Sequence, residues 1–525
     1  MAPDSQRYRF GPLERRGLIA GWRSGQIASV GASLVIAVTV LHGAADVTGG
    51  VLAFIAVAGG IGVACWPIAG RSLEEWLPVV MRWTADGLLG RRRLFGAPEL
   101  GHCMGPDGVT RCTAVSVARS RTRSTRWSRE ASERAIATEC RAFQGLSILG
   151  VRATGVPGVA GEGHELEEPT VCVIHDARAS TYTGALAVRG HSFALLGRED
   201  KERRVASWSS ALAVLARDGA VVNRLQWLAF TLPDDGYAVH RHLQDRATAA
   251  SDAPARRSYE ELVMFTGANT CRHEVLIVVQ IRDRRRLGVP SRSRHLRPGP
   301  DSMTCAALVR EMQTLGRLLS DADVIVDGLL GPRALAAVIR RTGETMTRRC
   351  PPCVVGAPWP VAMETEWSRV RTDQTWQATY WIAEWPRVDV GPDFLAPLLL
   401  GPVRRSVSVV MEPMGPRRAT KQVERARTAD IADSELRRRG GFLTTARRAR
   451  EAEMVVQKES ELADGHASFR FSGYVTVTAP SVEALEEACE VTEHAAGQSR
   501  LELRRLYGDQ ERAFTCTLPL CRGLS

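Results

Sequence analysis

Two histidines and two cysteines have spacings that chemistry can use. His240 and His242 flank Arg241, and residues two apart on a strand point the same way, so the pair could aim two imidazoles at one metal ion. The surrounding YAVHRHLQDRA reads instead as an exposed helix with no acidic third ligand, so both rings are expected to face solvent. Cys350 and Cys353 enclose two prolines, the spacing of half a zinc site or of a redox pair. No second cysteine pair or nearby histidine completes four ligands, and a plain loop is expected. Trp381 and Trp385 share one face of TWQATYWIAEW. They could stack a ligand or bases, but the expectation is strand core.

The common local signatures of catalysis are missing from the chain. No lysine follows a glycine, so the GxxxxGK[ST] cradle for phosphates is absent, as are HExxH and GxSxG. The carboxylates lie mostly in arginine-rich helical stretches, where solvated charge pairing explains them. No residue is assigned as catalytic, cofactor-binding or metal-ligating, no cofactor is expected, and the chain is read as a non-enzyme.

The elements that would position any site are visible in the hydropathy pattern. Val171 to Ile174, Thr183 to Val188 and Val221 to Phe230 read as strands, with Lys201 to Arg217 helical between the last two. His273 to Ile281 is a further strand, Cys305 to Leu319 an amphipathic helix, and Gly331 to Arg340 a short helix with proline at its start. Thr375 to Trp385, Arg405 to Met411 and Ser468 to Thr478 alternate as strands. Ser481 caps a helix running to Ala496, and Leu501 to Leu506 returns as a strand. The charged stretch 417–462 reads as a long helix or helical hairpin broken at Gly440-Gly441. A strand-helix-strand unit ending near Thr517-Leu518-Pro519 echoes one ending in Thr231-Leu232-Pro233 and raises the possibility of a duplication.

Composition bounds the class. The chain has 525 residues and a net charge of +11, and it contains only three lysines, Lys201, Lys421 and Lys458, so its basic character is carried by arginine. Such a bias fits a GC-rich genome, and a basic face would also suit anionic lipid headgroups. An arginine and serine run from Arg119 to Arg129, and a second basic run from Arg282 to Arg297, read as solvated loops that could alternatively contact phosphates. The 12 cysteines are scattered, as expected of thiols in a reducing compartment.

At the front, residues 24–45 and 47–70 carry no Asp, Glu, Lys or Arg and are separated by Asp46. As helices they would be long enough for a hydrocarbon core of ~30 Å. The expectation is a transmembrane hairpin turning at Asp46 to Gly50. Arginines precede the first run and follow the second, which places both termini in the cytoplasm. A cleaved signal peptide, with Ile27 to Leu41 as its apolar core, and a buried hairpin in a soluble protein are the competing readings.

The first 95 residues, RYRFGPLERRGLIAGWRSGQI through GRSLEEWLPVVMRW, resemble the PrgI-type membrane subunit of conjugation machines. The tail, FRFSGYVTVTAPSVEALEEACEVTEHAAGQSRLELRRLYGDQERAFTCTLPL, resembles the end of the N-terminal, non-motor region of VirB-type assembly ATPases. The whole order, including ALAVRGHSFALL, QWLAFTLPDDG, RTDQTWQATYWIAEWPRVDVGP and LYGDQ, is similar to a family of actinobacterial integral-membrane proteins linked to conjugation-like secretion loci. The arginine-rich insertion is a departure from that pattern.

Together these readings give an α+β fold. A membrane hairpin with an amphipathic exit helix occupies residues 1–95 and a poorly ordered Arg/Gly-rich linker 96–165. Two related α+β modules follow at 166–345 and 346–525, in a body that faces the cytoplasm. The resemblance implies a non-catalytic scaffold of a type IV-like apparatus that docks a separate P-loop assembly ATPase. Membrane lipid, other channel subunits and an oligomeric assembly are the further implied partners, with nucleic acid met only indirectly. An EccE-like component of type VII secretion and a membrane-tethered DNA-handling enzyme using His240 and His242 are the alternatives.

Overall fold

The computed structural model describes residues 24–43, 46–65, 67–68, 71–90, 92–95, 100–104, 109–114, 142–152, 159–160, 170–190, 193–233, 254–267, 271–283, 300–343, 359–360, 362–440 and 446–524. The helices are α1 (Ser24–Gly43), α2 (Val47–Cys65), α3 (Leu73–Leu88), α4 (Arg198–Ala213), α5 (Pro254–Gly267), α6 (Pro300–Asp321), α7 (Pro332–Arg341), α8 (Ala396–Leu399), α9 (Pro416–Gly440), α10 (Ala446–Ala463), α11 (Val482–Gln498) and α12 (Gln510–Thr515). The strands are β1 (Pro67–Ile68), β2 (Arg71–Ser72), β3 (Arg93–Phe95), β4 (Leu100–Met104), β5 (Val109–Ala114), β6 (Leu146–Arg152), β7 (Val159–Ala160), β8 (Thr170–Asp176), β9 (Thr181–Arg189), β10 (Val222–Pro233), β11 (Cys271–Arg282), β12 (Ile325–Leu330), β13 (Ala362–Thr365), β14 (Val370–Thr372), β15 (Thr375–Glu384), β16 (Arg405–Met414), β17 (Ser468–Ala479) and β18 (Glu502–Arg505). The α+β class is therefore as expected.

The chain divides into two compact units. The described residues of one lie in Arg92–Pro416 and His466–Ser525, those of the other in Phe10–Arg91 and Arg417–Gly465.

The first unit is built on one 16-stranded sheet whose central order is β8-β9-β11-β10-β16-β17-β15-β14. Both halves of that order use the same connections. A strand (β9 or β15) leads to the central strand of its half (β10 or β16), and the next strand (β11 or β17) inserts between them. A crossover helix (α6 or α11) then delivers a short strand, β12 or β18, back to the far edge of β9 or β15. That far edge is shared in both halves: its first residues pair with β8 or β14, its last with β12 or β18. β10 and β16 pair antiparallel at the centre, Leu228 opposite Ser408. What repeats is this order. The two Thr-Leu-Pro tripeptides are not equivalent, because one ends β10 while the other follows α12.

Alternation along the strands divides the core into two layers. Ile277, Val279 and Ile281 of β11 join Leu212, Leu308, Met312 and Leu315 on one face, whereas Leu276 and Val278 join Leu335, Ile339, Phe514 and Leu518 on the other. A sheet covered on both sides needs strands that are apolar at consecutive positions, which is why β11 reads EVLIVVQI. The covering helices carry ordinary start signals. Ser481 Oγ accepts from the Ala484 amide at 3.2 Å at the head of α11, and Gly331 precedes the proline that opens α7.

The region 96–165 needs a correction. The described residues 100–104, 109–114, 146–152 and 159–160 are not linker but strands, with β4, β5, β6 and β8 forming successive antiparallel ladders. The arginine and serine run 119–129 lies outside the described residues.

In the second unit α1 and α2 pack closely. A Cβ on Gly60 would lie 2.3 Å from Ser33 Cβ, and Gln26 Nε2 donates to Ala64 O at 2.8 Å. The membrane assignment is overturned here, because among the described residues no helix is long and apolar enough to cross a membrane. The multi-pass placement with both termini cytoplasmic goes with it. An uncharged run is not the same as an apolar helix: α1 spends positions on Ser24, Gln26, Ser29, Ser33, Thr39 and His42. α2 ends at Cys65, since Pro67–Ile68 pairs back onto Arg71–Ser72, so the second uncharged run yields a helix of 19 residues, shorter than the run itself. α9 and α10 are the helical hairpin expected over 417–462, with Arg427 ion-paired to Glu459 across it; Gly441 lies outside the described residues.

Candidate functional site

The most constructed region of the sheet unit is where the C-terminal segment crosses one face. Gln226, wholly buried on β10, places its Nε2 2.8 Å from Ser408 Oγ, 3.0 Å from Cys516 O and 2.9 Å from Leu518 O. Its Oε1 accepts from the Cys521 amide at 2.9 Å. A buried amide is costly unless satisfied, and here both of its ends are. Beside it, Arg224 donates to Cys521 O and Leu524 O at 3.2 and 2.7 Å. Burial pushes the Arg224 guanidinium down from its ordinary value, and the charge of Glu412 works against that shift. Thr379 Oγ1, Thr476 Oγ1 and Thr517 Oγ1 form a chain at 2.8 and 2.7 Å, and Gln510 Oε1 accepts from the Thr379 amide at 2.8 Å. Arg522 reaches Asp176 Oδ2 at 2.9 Å. The last residues are sewn to β8, β10, β15 and β17 by side chains.

A second polar cluster sits under α11. Tyr380 donates its hydroxyl to Glu493 Oε1 at 2.8 Å. Arg505 holds Glu486 with two bonds of 2.8 and 3.0 Å and donates to Ser368 O at 2.8 Å. The Arg505 hydrogen bonds hold the Glu486 carboxyl below the usual carboxylate range, with the charges of Arg505 and Arg369 adding to the effect. Burial drives the Tyr380 hydroxyl and the Cys489 thiol upward.

The two buried cysteines of the tail are not set up as nucleophiles. A reactive cysteine needs a lowered pKa, whereas burial pushes Cys516 up to about 12 and raises Cys521 as well. A cavity of about 10 Å³ lined by Phe230, Glu274, Arg341 and Arg404 has room for about one water. Among the described residues no group of three or more His, Cys, Asp or Glu side chains could hold a metal ion.

His240, His242, Cys350 and Cys353 lie outside the described residues, as do residues 284–297 of the second basic run. Trp381 and Trp385 are buried side chains. Trp381 Nε1 donates to Ser472 Oγ at 3.1 Å, and Trp385, one residue past the end of β15, meets the Phe471 ring edge-on at 5.3 Å, so both pack into the core against β17. Gln226, Gln377 and Gln510 were not singled out by the sequence reading. The available signal was a lone glutamine inside an apolar strand, as in RLQWLAF and TWQAT; at Gln226 both ends of the amide are partnered, whereas Gln377 donates through Nε2 to Thr342 O and Thr372 Oγ1 and its buried Oε1 has no partner among the described residues.

Neither comparison with protein-family models nor comparison with curated proteins finds a match for this chain.

Proposed function

We propose that the chain is a non-catalytic scaffold subunit of a type IV-like conjugation or secretion apparatus that docks a separate P-loop assembly ATPase. The observation that carries the reading is the uncovered apolar surface of α1 and α2, where Val35 is 65% exposed, Phe54 74% and Ile55 58%. Apolar side chains gathered on a helix pair in this way mark a surface that meets other molecules, and channel subunits of the same apparatus are the occupants this reading implies. The link to an ATPase rests on the likeness of the tail to the region that leads into the motor of VirB-type ATPases. A tail clamped by Gln226, Arg224 and Arg522 supports a rigid platform for such a partner. The order of elements shared by the two halves of the sheet supports two related modules derived from one.

Affinity isolation of the tagged full chain from its native cells, read by mass spectrometry, is expected to recover a P-loop ATPase together with channel subunits. The purified chain is expected to leave ATP intact. Replacing Val35, Phe54 and Ile55 together by serine is expected to release the channel subunits while the unfolding of the sheet unit stays unchanged. Isolates that never contain a P-loop ATPase would remove the basis of the proposal.

A further inference from the structure

Arg405, at the start of β16, is 1% exposed, and among the described residues none of its three guanidinium nitrogens has a hydrogen-bond partner. It stands opposite Thr231 in the central ladder and beneath the turn that follows α8. A Cβ on Gly401 would lie 2.5 Å from Arg405 Nη2 and 3.3 Å from Nη1, so the absence of a side chain at 401 is what lets the backbone lie over the guanidinium. Two carbonyls of that turn are engaged elsewhere. Leu399 O accepts from Thr231 Oγ1 at 3.0 Å and Pro402 O from Cys271 Sγ at 3.7 Å.

Such a group cannot remain as it stands. Five N–H donors buried without acceptors lose their hydration with nothing in return, and an unpaired buried ion costs several kcal/mol. Lysine or histidine would shed its proton, but arginine keeps its charge. We infer that Arg405 is the centre of a binding site for a small monovalent inorganic anion of the chloride class, held in the cavity of about 10 Å³ that Arg405 lines together with Phe230, Arg341 and Glu274, whose carboxylate is already paired with Arg272 and Arg341. One positive charge calls for one negative charge. A side chain this enclosed selects an ion that sheds water readily and is about the size of a water molecule, and it discriminates against hydrated multivalent oxyanions. The inference is independent of the scaffold role, since it concerns a site inside the sheet unit.

The test is thermal unfolding of the full chain at fixed pH and ionic strength, in sodium gluconate with increasing replacement by chloride, bromide or phosphate. Chloride and bromide are expected to raise the midpoint saturably, by on the order of 5 °C, with no saturable rise in phosphate. A bromide-soaked crystal should show an anomalous peak beside the Arg405 guanidinium. Arg405→Met is expected to abolish the halide dependence while matching or exceeding the unaltered protein's midpoint in gluconate. Should that variant not fold, Arg405→Lys decides, with a halide curve lost or displaced to higher concentration as the supporting result, since a buried lysine sheds its proton. Equal midpoints in all the salts, a phosphate effect as large as that of chloride, or an unchanged halide curve in either variant would overturn the site.

Discussion

The two halves of the central sheet share an order of elements and differ in how each holds its crossover helix. α6 rests on β9 through buried Leu308, Met312 and Leu315, and it comes close because β9 has Gly184 there; a Cβ at that position would lie 2.6 Å from Met312 Sδ. α11 also buries a leucine, Leu485, but adds the Tyr380–Glu493 bond and the Arg505–Glu486 fork. The ladder order and the crossover therefore fix the topology, while the chemistry of the helix contact is free to vary. A hydrophobic contact is indifferent to pH and salt, and a forked ion pair is sensitive to both.

The comparison breaks most severely at Met312. Met312→Ala opens a cavity between α6 and β9 and is expected to cost about 3 kcal/mol, at the centre of the range for truncating a buried large side chain. Urea unfolding measures it, and the loss should be nearly equal at pH 5 and pH 7. A strong pH dependence of that loss would remove the distinction between the halves.

Gln226 tests what joins them. Gln226→Leu keeps the volume but strands Cys516 O, Leu518 O and the Cys521 amide in the interior. The expected cost is about 2 kcal/mol, accompanied by faster labelling of Cys516 and Cys521 by a thiol reagent under native conditions as the tail opens. Unchanged labelling would show that the tail is held by its apolar contacts alone.

How much of this could be read beforehand follows from the same physics. β9, β10, β11, β15, β16 and β17 were legible because β-branched and aromatic residues crowd them, and α11 because Ser481 caps it. β4 to β6 were missed because Leu146–Arg152 and its neighbours are short, glycine-containing and separated by arginine-rich sequence; only the ladder onto β8 makes them strands. The apolar front of the chain misled because absence of charge was read as helix length. The clamp at Gln226 depends on carbonyls that arrive from nearly 300 residues away, and no local pattern records that.

The second half is probed by Glu486. Its folded pKa lies below the ordinary value, so its contribution is fully present above the unfolded pKa of about 4.3 and is lost as pH falls through the folded value. Glu486→Gln is expected to lower stability at pH 7 by about 1 kcal/mol, the upper end for a partly exposed pair. Thermal midpoints of the variant and the unaltered protein should converge in acid, and added salt should narrow the gap at pH 7. A gap that persists in acid would mean that the fork acts through shape rather than charge.

The smallest effect is expected from the ion pair of the α9–α10 hairpin, which sharpens the reason for the previous one. Arg427 and Glu459 form a pair of the same chemical kind, but their side chains are 51% and 40% exposed, whereas Arg505 is 11% exposed and also bound to Ser368 O. An exposed arginine must surrender side-chain freedom to hold its partner, and water competes for both ions. An arginine already fixed by burial and a backbone carbonyl has paid that entropy before its carboxylate arrives. Arg427→Gln should therefore change stability by no more than about 0.5 kcal/mol, measured by amide hydrogen exchange along α9 and α10 at low salt. A loss as large as that of Glu486→Gln would show that pre-positioning of the arginine is not what separates the two pairs.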